Sequence, residues 1–320
     1  GASPSSPFLF TIAASGERPM QFSATGLPAG LKLDSKTGII TGRVTKKGTH
    51  RVMLRAKNKL GNDEQELMIC VGDTIALTPP IGWNGWNSWA HKLDREKVLA
   101  SAKAMVHSGL AQFGWTYINI DDTWQGIRSP KDSSLQPNEK FGDFYSMVDS
   151  IHQLGLKAGL YSTPYISTYA GYPGGSSDYS LGGETHEQIS KSRQPFMRIG
   201  PYRFEEQDAK QMASWGFDFL KYDWCSYGGV AGHKPGLDGM KKPYILMGDL
   251  LKQQNRDMVF NLCQYGMGNV WEWGTEVGGN CWRTTGDITD TWSSMAGIGF
   301  AQAGHEKFAG PGHWNDPDYL

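Results

Sequence analysis

The sequence predicts an α/β protein in which a (β/α)8 TIM barrel follows a small all-β domain. Two observations predict the barrel: helix-to-strand units recur after residue 78, and polar residues stand at the end of one predicted strand after another. Parallel strands that close into a barrel present functional groups from many strand ends, whereas an open doubly wound sheet gathers them beside one glycine-rich turn. No GxGxxG sequence follows a strand, so the barrel is favoured. A third observation, closely spaced alternating strands before residue 78, predicts the all-β domain.

The composition argues against several classes of partner. The 320 residues carry 31 basic and 32 acidic side chains, and no run of Lys or Arg is longer than a pair, which disfavours nucleic acid and anionic membranes. No stretch reaches the roughly 18 apolar residues of a membrane span, and the first residues lack the pattern of a signal peptide. The 12 Trp, 13 Tyr and 13 Phe suit a protein that stacks rings on sugars, and they equally suit an aromatic core.

Residues 1–77 are predicted to form a small immunoglobulin-like β-sandwich. Residues 51–57 and 66–71 alternate between apolar and polar side chains, and a turn-like segment separates them, as in a hairpin with one buried face. Glycine and proline clusters upstream divide further short strands. The segment 22–42 resembles the immunoglobulin-like modules that are attached to bacterial secreted and surface proteins. No catalytic constellation stands in these residues.

Residues 78–320 are predicted to form the barrel, because one pattern of helix, glycine and strand repeats along them. Asp94 caps a helix whose apolar residues follow helical spacing, and Gly109 ends that helix before a strand at 115–120. We place the first strand and its loop at 83–89 and further strands at 157–161, 217–222 and 258–262. The seventh strand ends at Asp318, so we expect the chain to stop before an eighth strand closes the barrel.

Polar side chains stand at the ends of most predicted strands. They are Asp121, Asp122, Tyr161, Asp223, Cys263, Gln264, Asp287 and Asp318. Any single aspartate among them is more often a turn or capping residue than part of a site. Several carboxylates at one barrel mouth would repel one another, but Lys221 and Arg283 are placed among them. A pocket of carboxylates, cations and Trp rings suits neutral polyols, and two of its acids could divide the roles that glycoside hydrolysis requires.

From residue 79 onward, over about three quarters of its length, the chain resembles glycoside hydrolase family 27, the family of α-galactosidases and α-N-acetylgalactosaminidases. Five motifs carry the resemblance: Gly82-Trp83-Asn84-Gly85-Trp86-Asn87, Ile120-Asp121-Asp122-Thr123-Trp124, Leu220-Lys221-Tyr222-Asp223, Trp282-Arg283 with Gly286-Asp287-Ile288, and Asp316-Pro317-Asp318. The resemblance implies a (β/α)8 barrel that hydrolyses terminal α-galactosyl linkages with retention, through a covalent glycosyl-enzyme intermediate. It also implies that no cofactor is required, and the sequence suggests no metal site.

The resemblance implies a role for most of the polar residues at the strand ends. Asp223 would be the nucleophile, and Asp287 the general acid and later the general base. Asp290 is a rival for the second role, since either acid could cap the helix that follows, but Asp287 directly follows its strand. The other residues would bind the sugar: Asp121 and Asp122 at O4 and O6, Lys221 at O3 and O4, Arg283 and Asp318 at O2, and Trp86 on the C6 side. Lys221 is two positions before Asp223 on one strand and therefore points to the same face.

Three features depart from the family pattern. After the fifth strand the chain has Cys263-Gln264-Tyr265-Gly266 where many members have Cys-Glu-Trp, so Gln264 alters the wall that senses the C2 substituent. The third loop, between Tyr169 and Glu205, is long and rich in Gly, Ser and Tyr, which suggests a subsite wall or lid. From this sequence we expect neither the eighth strand nor the C-terminal sandwich that are usual in the family.

The sequence as a whole predicts a retaining exo-α-galactosidase that acts outside the cytoplasm on an oligosaccharide or glycoconjugate. The same catalysis on an α-N-acetylgalactosaminide, a β-L-arabinopyranoside or an isomaltose-type linkage is an alternative. A non-catalytic carbohydrate-binding protein is a further hypothesis, which the presence of both expected acids disfavours. The oligomeric state is left open.

The four cysteines form no CxxC pair, which argues against a disulfide scaffold and structural zinc. We expect Cys263 to be bridged, because it ends a strand beside the strands that carry Cys225 and Cys281. Strand adjacency allows either partner, and the family resemblance points toward Cys281.

Overall fold

The computed structural model describes residues 1–191, 196–225 and 236–318. Its first part consists of antiparallel strands: β1 (Pro7–Thr11), β2 (Gln21–Thr25), β3 (Leu31–Leu33), β4 (Ile39–Arg43), β5 (Gly48–Asn58) and β6 (Gly61–Val71). They form two three-stranded sheets, in the orders β1-β4-β3 and β2-β5-β6. Phe22, Ile40, Val52 and Ile69 come from both sheets and are buried in one core. The predicted all-β region at the N-terminus is confirmed.

The strands β5 and β6 form a hairpin that is longer than residues 51–57 and 66–71, the segments in which apolar and polar side chains alternate. Its strands pair in register from Gly48 with Val71 to Asn58 with Gly61. The side chain of Asn58 closes the two-residue turn by accepting hydrogen bonds from the backbone N–H groups of Leu60 and Gly61. A short turn fixes the register, and the register keeps the apolar side chains on the core face.

The remaining strands are β7 (Gly82–Asn84), β8 (Tyr117–Ile120), β9 (Gln125–Arg128), β10 (Leu135–Pro137), β11 (Lys157–Ser162), β12 (Ser176–Ser177), β13 (Tyr202–Arg203), β14 (Phe219–Asp223), β15 (Val259–Cys263), β16 (Cys281–Arg283) and β17 (Trp314–Asp316). Seven of them form one sheet in the order β17-β16-β15-β14-β11-β8-β7, and all neighbours in it are parallel. The short pairs β9-β10 and β12-β13 lie in the loops after β8 and β11.

The parallel sheet is an open barrel of seven strands, which confirms the predicted architecture and strand count. In the part of the chain that the structure describes, β7 and β17 are its two edges. A cavity of about 720 Å³ extends along the inner face between these edges. Lys221, Arg283 and Asp318 line one end of the cavity, so the predicted site opens into it.

Helices alternate with the parallel strands: α1 (Trp86–Trp89), α2 (Arg95–His107), α3 (Phe144–Gln153), α4 (His186–Lys191), α5 (Glu205–Trp215), α6 (Leu237–Lys252), α7 (Val270–Trp273) and α8 (Trp292–Phe300). Asp94 caps α2 as predicted, because its side chain accepts from the backbone N–H of Lys97. The helix ends at His107, two residues before Gly109, whose positive φ of 87° leads into a short 3-10 helix. Among the described helices, none is long and apolar enough to cross a bilayer.

The segment that joins the all-β region to β7 covers the bottom of the barrel. Ile75 and Ala76 pack against the first residues of several parallel strands, namely Tyr117, Phe219, Val259, Cys281 and Trp314. The carbonyl of Ala76 accepts from Trp314 Nε1 at 2.7 Å and from the backbone N–H of Gly312 at 3.0 Å. The segment therefore takes part in the barrel core and is more than a spacer.

The all-β region contacts the same N-terminal side of the barrel strands. Thr11 Oγ1 donates to the carbonyl of Gly155, just before β11, and the backbone N–H of Ser3 donates to the side chain of Asp257, just before β15. The predicted site residues lie at the opposite ends of these strands. The region is thus placed to support the barrel from the side away from the site.

The prediction of a disulfide at Cys263 is wrong, since Cys70, Cys225, Cys263 and Cys281 are all free. The strand register explains why. Asp223 is paired with Cys263, which leaves Cys225 two residues beyond, and Asn261 is paired with Cys281, which leaves Cys263 two residues beyond. Cysteines on adjacent strands are therefore staggered, and the buried sulfurs contact polar side chains. Cys281 Sγ, for example, accepts from Asn261 Nδ2 at 3.1 Å.

Candidate active site

Asp121 follows β8 and is held by donors from two other strands of the sheet, the adjacent β7 and the more distant β14. Lys221 Nζ on β14 lies 2.8 Å from Asp121 Oδ2, and Asn84 Nδ2 at the end of β7 donates to the same oxygen at 2.7 Å. The other oxygen accepts from the backbone N–H of Asp122. The carboxylate is 2% exposed, and a buried charge of this kind requires such partners. The structure therefore brings together the predicted residues Asp121 and Lys221.

Asp223 ends β14, and each of its carboxylate oxygens accepts a hydrogen bond from a phenol. Tyr161 donates to Oδ2 at 2.8 Å, and Tyr265 donates to Oδ1 at 2.7 Å. Burial raises the pKa of Asp223 above its ordinary value, whereas Lys221 and the two phenols act in the opposite direction. These groups stabilise the ionised form and fix the orientation of the carboxylate, as a nucleophile at this position would require.

Arg283 ends β16 and joins two of the predicted acids. Its Nη1 lies 3.2 Å from Asp318 Oδ1, and its Nη2 lies 3.0 Å from Asp287 Oδ1. The guanidinium and Asp318 are buried, whereas the side chain of Asp287 is 74% exposed. Asp287 is thus the acid that faces solvent, and the pairing places it at the same barrel mouth as Arg283.

Neither Asp287 nor its rival Asp290 caps the helix that follows. Thr291 is the N-cap of α8, and its side chain accepts from the backbone N–H of Ser294. The capping explanation for the two acids is therefore removed. Since Asp287 is the one that contacts Arg283, the geometry favours it over Asp290 for a role in the site.

Asp316 supports the turn that carries Asp318. Its Oδ1 accepts from the backbone N–H of Asp318 at 3.0 Å, and its Oδ2 accepts from Asn261 Nδ2 at 2.7 Å. Asp318 has a positive φ of 64°, a conformation that a residue other than glycine adopts only where the surroundings hold it. The Asn261 side chain on β15 therefore helps to orient Asp318, and through it Arg283.

Asp122 lies beside Asp121 but uses a different set of donors. One oxygen accepts from the backbone N–H of Thr123 at 2.6 Å, and the other accepts from the backbone N–H of Ala170, in the third loop, at 2.9 Å. Burial raises the pKa of Asp122 to about 7, although these N–H groups and the Thr168 hydroxyl lower it. The third loop thus contributes directly to the surroundings of a predicted sugar-binding residue.

We expect the titration of Asp122 to appear in the pH dependence of the free energy of unfolding, measured without substrate. Its pKa is raised in the folded state, so its contribution to the free energy of unfolding is fully present below the ordinary pKa and is lost as the pH rises through about 7. Asp122→Asn cannot titrate at this position. Urea unfolding from pH 4 to pH 8 should show wild type losing stability relative to the variant as the pH rises. Parallel pH curves for the two proteins would contradict the assignment.

Trp86 and Gln264 lie near the acids of the predicted site. Among the described hydrogen bonds, neither residue is bonded directly to one of these acids. The backbone N–H of Trp86 donates to Asn84 Oδ1, which links Trp86 to Asp121 through one residue. Gln264 is buried in the turn after β15, where its Nε2 donates to the carbonyl of Met267 at 2.8 Å. Its Oε1 is buried and accepts no hydrogen bond from any described residue, so it can still accept one from a ligand.

Asn84, Tyr161 and Tyr265 contact the predicted acids and are additional to the site residues that are predicted from the sequence. Asn84 belongs to the opening motif and Tyr161 ends a predicted strand, so position along the chain could have indicated both. Tyr265 lies two residues beyond β15 in a turn, and there no periodicity predicts the direction of a side chain. It could be found only from the structure.

A parallel barrel with acids and cations gathered at the C-terminal strand ends is the architecture of the barrel-type glycoside hydrolases. The chain belongs to the family described as alpha galactosidase A (Melibiase_2), which matches residues 78–192 and 195–320. An Ig domain family (He_PIG) matches residues 1–71.

Three similar proteins illustrate the relationship. Alpha-galactosidase A of Cellvibrio japonicus is 36% identical over 261 residues, which cover 78% of this chain and 56% of that protein. A crystal structure from Bacteroides fragilis, classed as an alpha-galactosidase/melibiase, is 39% identical with a TM-score of 0.85 and covers 99% of this chain and 62% of that one. The Saccharomyces cerevisiae alpha-galactosidase determined with raffinose is 28% identical with a TM-score of 0.63, covering 76% and 52%. The chain thus spans about half the length of the curated relatives that it matches.

Proposed function

We propose that the protein is a retaining exo-α-galactosidase with Asp223 as nucleophile and Asp287 as acid/base. One observation carries the proposal: at the end of β14 a buried carboxylate is oriented by two phenols and flanked by Lys221, while the solvent-exposed Asp287 stands at the same barrel mouth. Retaining hydrolysis needs one carboxylate held in place to attack the sugar and a second acid that water can reach. Membership of the family supports this division of roles.

The reaction would proceed in two displacements. In the first, an Asp223 oxygen attacks the anomeric carbon, the glycosidic bond breaks, and Asp287 gives its proton to the departing oxygen. In the second, Asp287 takes a proton from water, the water oxygen attacks the same carbon, and the bond to Asp223 breaks with its electron pair returning to the carboxylate. Two inversions at one carbon give net retention.

The buried polar groups would recognise the galactosyl ring. Asp121 and Asp122 would accept from O4 and O6, Lys221 would donate to O3 and O4, and Arg283 with Asp318 would hold O2. Each of these residues already has partners within the protein, so its geometry is set before the sugar arrives. The Trp86 ring would cover the C6 side. Oligosaccharides are the proposed substrates, and the yeast structure with raffinose supports that class.

We also propose that the protein acts outside the cytoplasm. The match of residues 1–71 to an Ig domain family supports this location, because the segment 22–42 resembles modules that are attached to bacterial secreted and surface proteins. Contacts of the all-β region with the strand ends opposite the site favour a supporting role for it.

A panel of nitrophenyl glycosides tests the proposed activity. The full-length protein should hydrolyse the α-galactoside and raffinose in preference to α-N-acetylgalactosaminide, β-L-arabinopyranoside and α-glucoside. Proton NMR of the first product formed should show α-galactose, because retention keeps the anomeric configuration. Preference for another glycoside would reassign the sugar, first release of β-galactose would indicate inversion, and calorimetric binding of galactose without turnover would indicate a binding protein.

A further inference from the structure

The phenol of Tyr265 has no part in the two displacements as described, yet it contacts the group at their centre. Its hydroxyl donates to Asp223 Oδ1 at 2.7 Å, while Tyr161 on the adjacent strand β11 occupies Oδ2. A carboxylate oxygen carries two lone pairs, so these hydrogen bonds leave capacity for a bond to carbon. Tyr265 therefore touches the reacting carboxylate without having to leave it during the reaction.

The turn after β15 fixes the direction of Tyr265. Tyr265 has a positive φ of 64°, and Gly266 follows with a φ of 83° at a position where a Cβ would lie 2.3 Å from the carbonyl of Thr284. The backbone N–H of Met267 donates to the carbonyl of Gln264, which closes the turn. A conformation that non-glycine residues adopt rarely is here held by close packing on one side and by backbone hydrogen bonds on the other.

Two neighbours hold the ring of Tyr265. Tyr169 in the third loop packs edge-on against it, with ring centroids 6.4 Å apart, and the guanidinium carbon of Arg283 lies 5.5 Å from its ring centroid. Tyr169 is in turn anchored by a hydrogen bond to the carbonyl of Trp224 at 3.0 Å. The ring of Tyr265 is therefore contacted from two separate segments, the third loop and the end of β16, which leave it little freedom to turn away.

We propose that Tyr265 is a positioning residue that favours the second displacement, in which the bond between Asp223 and the sugar breaks. The proposal rests on the proposed function. In the intermediate Asp223 is an uncharged ester, and when its bond to the sugar breaks it becomes a carboxylate again. A hydrogen bond to a charged acceptor is about twice as strong as one to a neutral acceptor, so the phenol stabilises the product of this step more than its reactant. In the first displacement Asp223 changes from a carboxylate to an uncharged ester. The phenol therefore does not stabilise the product of that step over its reactant.

The same hydrogen bond affects the ionisation of the free enzyme. Removing a donor from a carboxylate raises its pKa, because the ionised form loses the stronger interaction. The other groups that act on Asp223 include the charges of Lys221 and Asp121, the hydroxyls of Tyr161 and Tyr244, and the thiols of Cys225 and Cys263. The replacement of Tyr265 leaves all of these in place, so a shift in the acid limb of the pH profile can be assigned to the lost phenol.

Tyr265→Phe tests the proposal, because it removes the hydroxyl and keeps the ring. With a dinitrophenyl α-galactoside, whose good leaving group makes the second displacement limiting, kcat should fall about 10- to 100-fold, the loss expected for a hydrogen bond to a charged group. The ratio kcat/KM reports the first displacement and should change less than about threefold at the pH optimum, so KM falls with kcat. A burst of dinitrophenolate close to one equivalent should appear, and the acid limb of kcat/KM should move up by about one pH unit.

Tyr145→Phe is the matched control, since it removes a hydroxyl from an exposed tyrosine on α3 that does not contact Asp223 or Tyr265 among the described contacts. It should leave the burst and the pH profile as in wild type, and thermal unfolding should verify that both variants fold. Equal loss of kcat and kcat/KM in Tyr265→Phe without a burst, or no change at all, would overturn the proposal while leaving the proposed function intact. A wild-type protein that hydrolyses no glycoside would overturn both.

Discussion

Asp223→Asn should abolish turnover on every glycoside, by about 1,000-fold or more, because an amide cannot form the covalent intermediate. The substitution preserves the shape of the side chain. It leaves Lys221 and the hydroxyls of Tyr161 and Tyr265 in place, so the sugar can still bind. Hydrolysis of a nitrophenyl α-galactoside measures the loss, and calorimetry with galactose measures the binding that remains. Turnover within about tenfold of wild type would remove Asp223 from the role of nucleophile.

Asp287→Asn distinguishes the second acid from the first. The covalent intermediate can still form when the leaving group needs no proton, as with nitrophenolate, but its hydrolysis lacks a base. Added azide needs no base, so it should attack the intermediate and restore turnover, giving a product of retained configuration. Rescue of Asp223→Asn by azide with a retained product, and an inverted azide product from Asp287→Asn, would mean that the two roles are exchanged. Asp290→Asn is the matched control, because it changes an acid three residues away that does not contact Arg283 among the described contacts.

The sequence is sufficient to predict the barrel because its pattern is repeated. A helix, a glycine and a strand recur along the chain, and most of the strands end in a polar residue. Because parallel strands end at the same side of the barrel, the sequence position of such a residue also predicts where it lies in the fold. Lys221 and Asp223 share a face because they are two residues apart on one strand, and the parallel register then brings Lys221 to Asp121. Residues on regular strands at fixed spacing are therefore the ones whose contacts can be inferred without coordinates.

Contacts that depend on the register between strands or on turn geometry cannot be inferred from the sequence pattern. Strand adjacency predicts a bridge at Cys263, but a stagger of two residues between neighbouring strands places its potential partners out of register. The pKa of Asp122 is raised by burial and lowered in part by the N–H of Ala170, 48 residues away in a long loop. Tyr265 reaches Asp223 through a turn with positive φ that no apolar pattern encodes.

The long third loop is anchored by a buried ion pair that no sequence pattern indicates. Arg128 on β9 makes two hydrogen bonds to Asp208 on α5, at 2.7 and 2.8 Å, and both side chains are almost fully buried. Arg128 also donates to the carbonyl of Gly174 in the third loop and packs on the ring of Phe204. One guanidinium therefore ties the loop after β8, the third loop and α5 together, close to the segment that donates to Asp122.

Asp208→Asn should destabilise the protein by about 3 to 5 kcal/mol, because it leaves the charge of Arg128 buried without a counter-charge. Urea unfolding measures the change. The matched control is Asp178→Asn, which breaks another two-bond pair, with Arg198, whose side chains are partly exposed, and should cost about 1 kcal/mol or less. Replacing both partners by apolar residues, as in Arg128→Met with Asp208→Leu, should recover much of the loss, because no uncompensated charge remains. Equal effects of Asp208→Asn and Asp178→Asn would show that the buried pair does not anchor the loop. If the apolar pair fails to recover stability, the stabilisation comes from the hydrogen bonds of Arg128 to Ser133 and Gly174, and not from the paired charges.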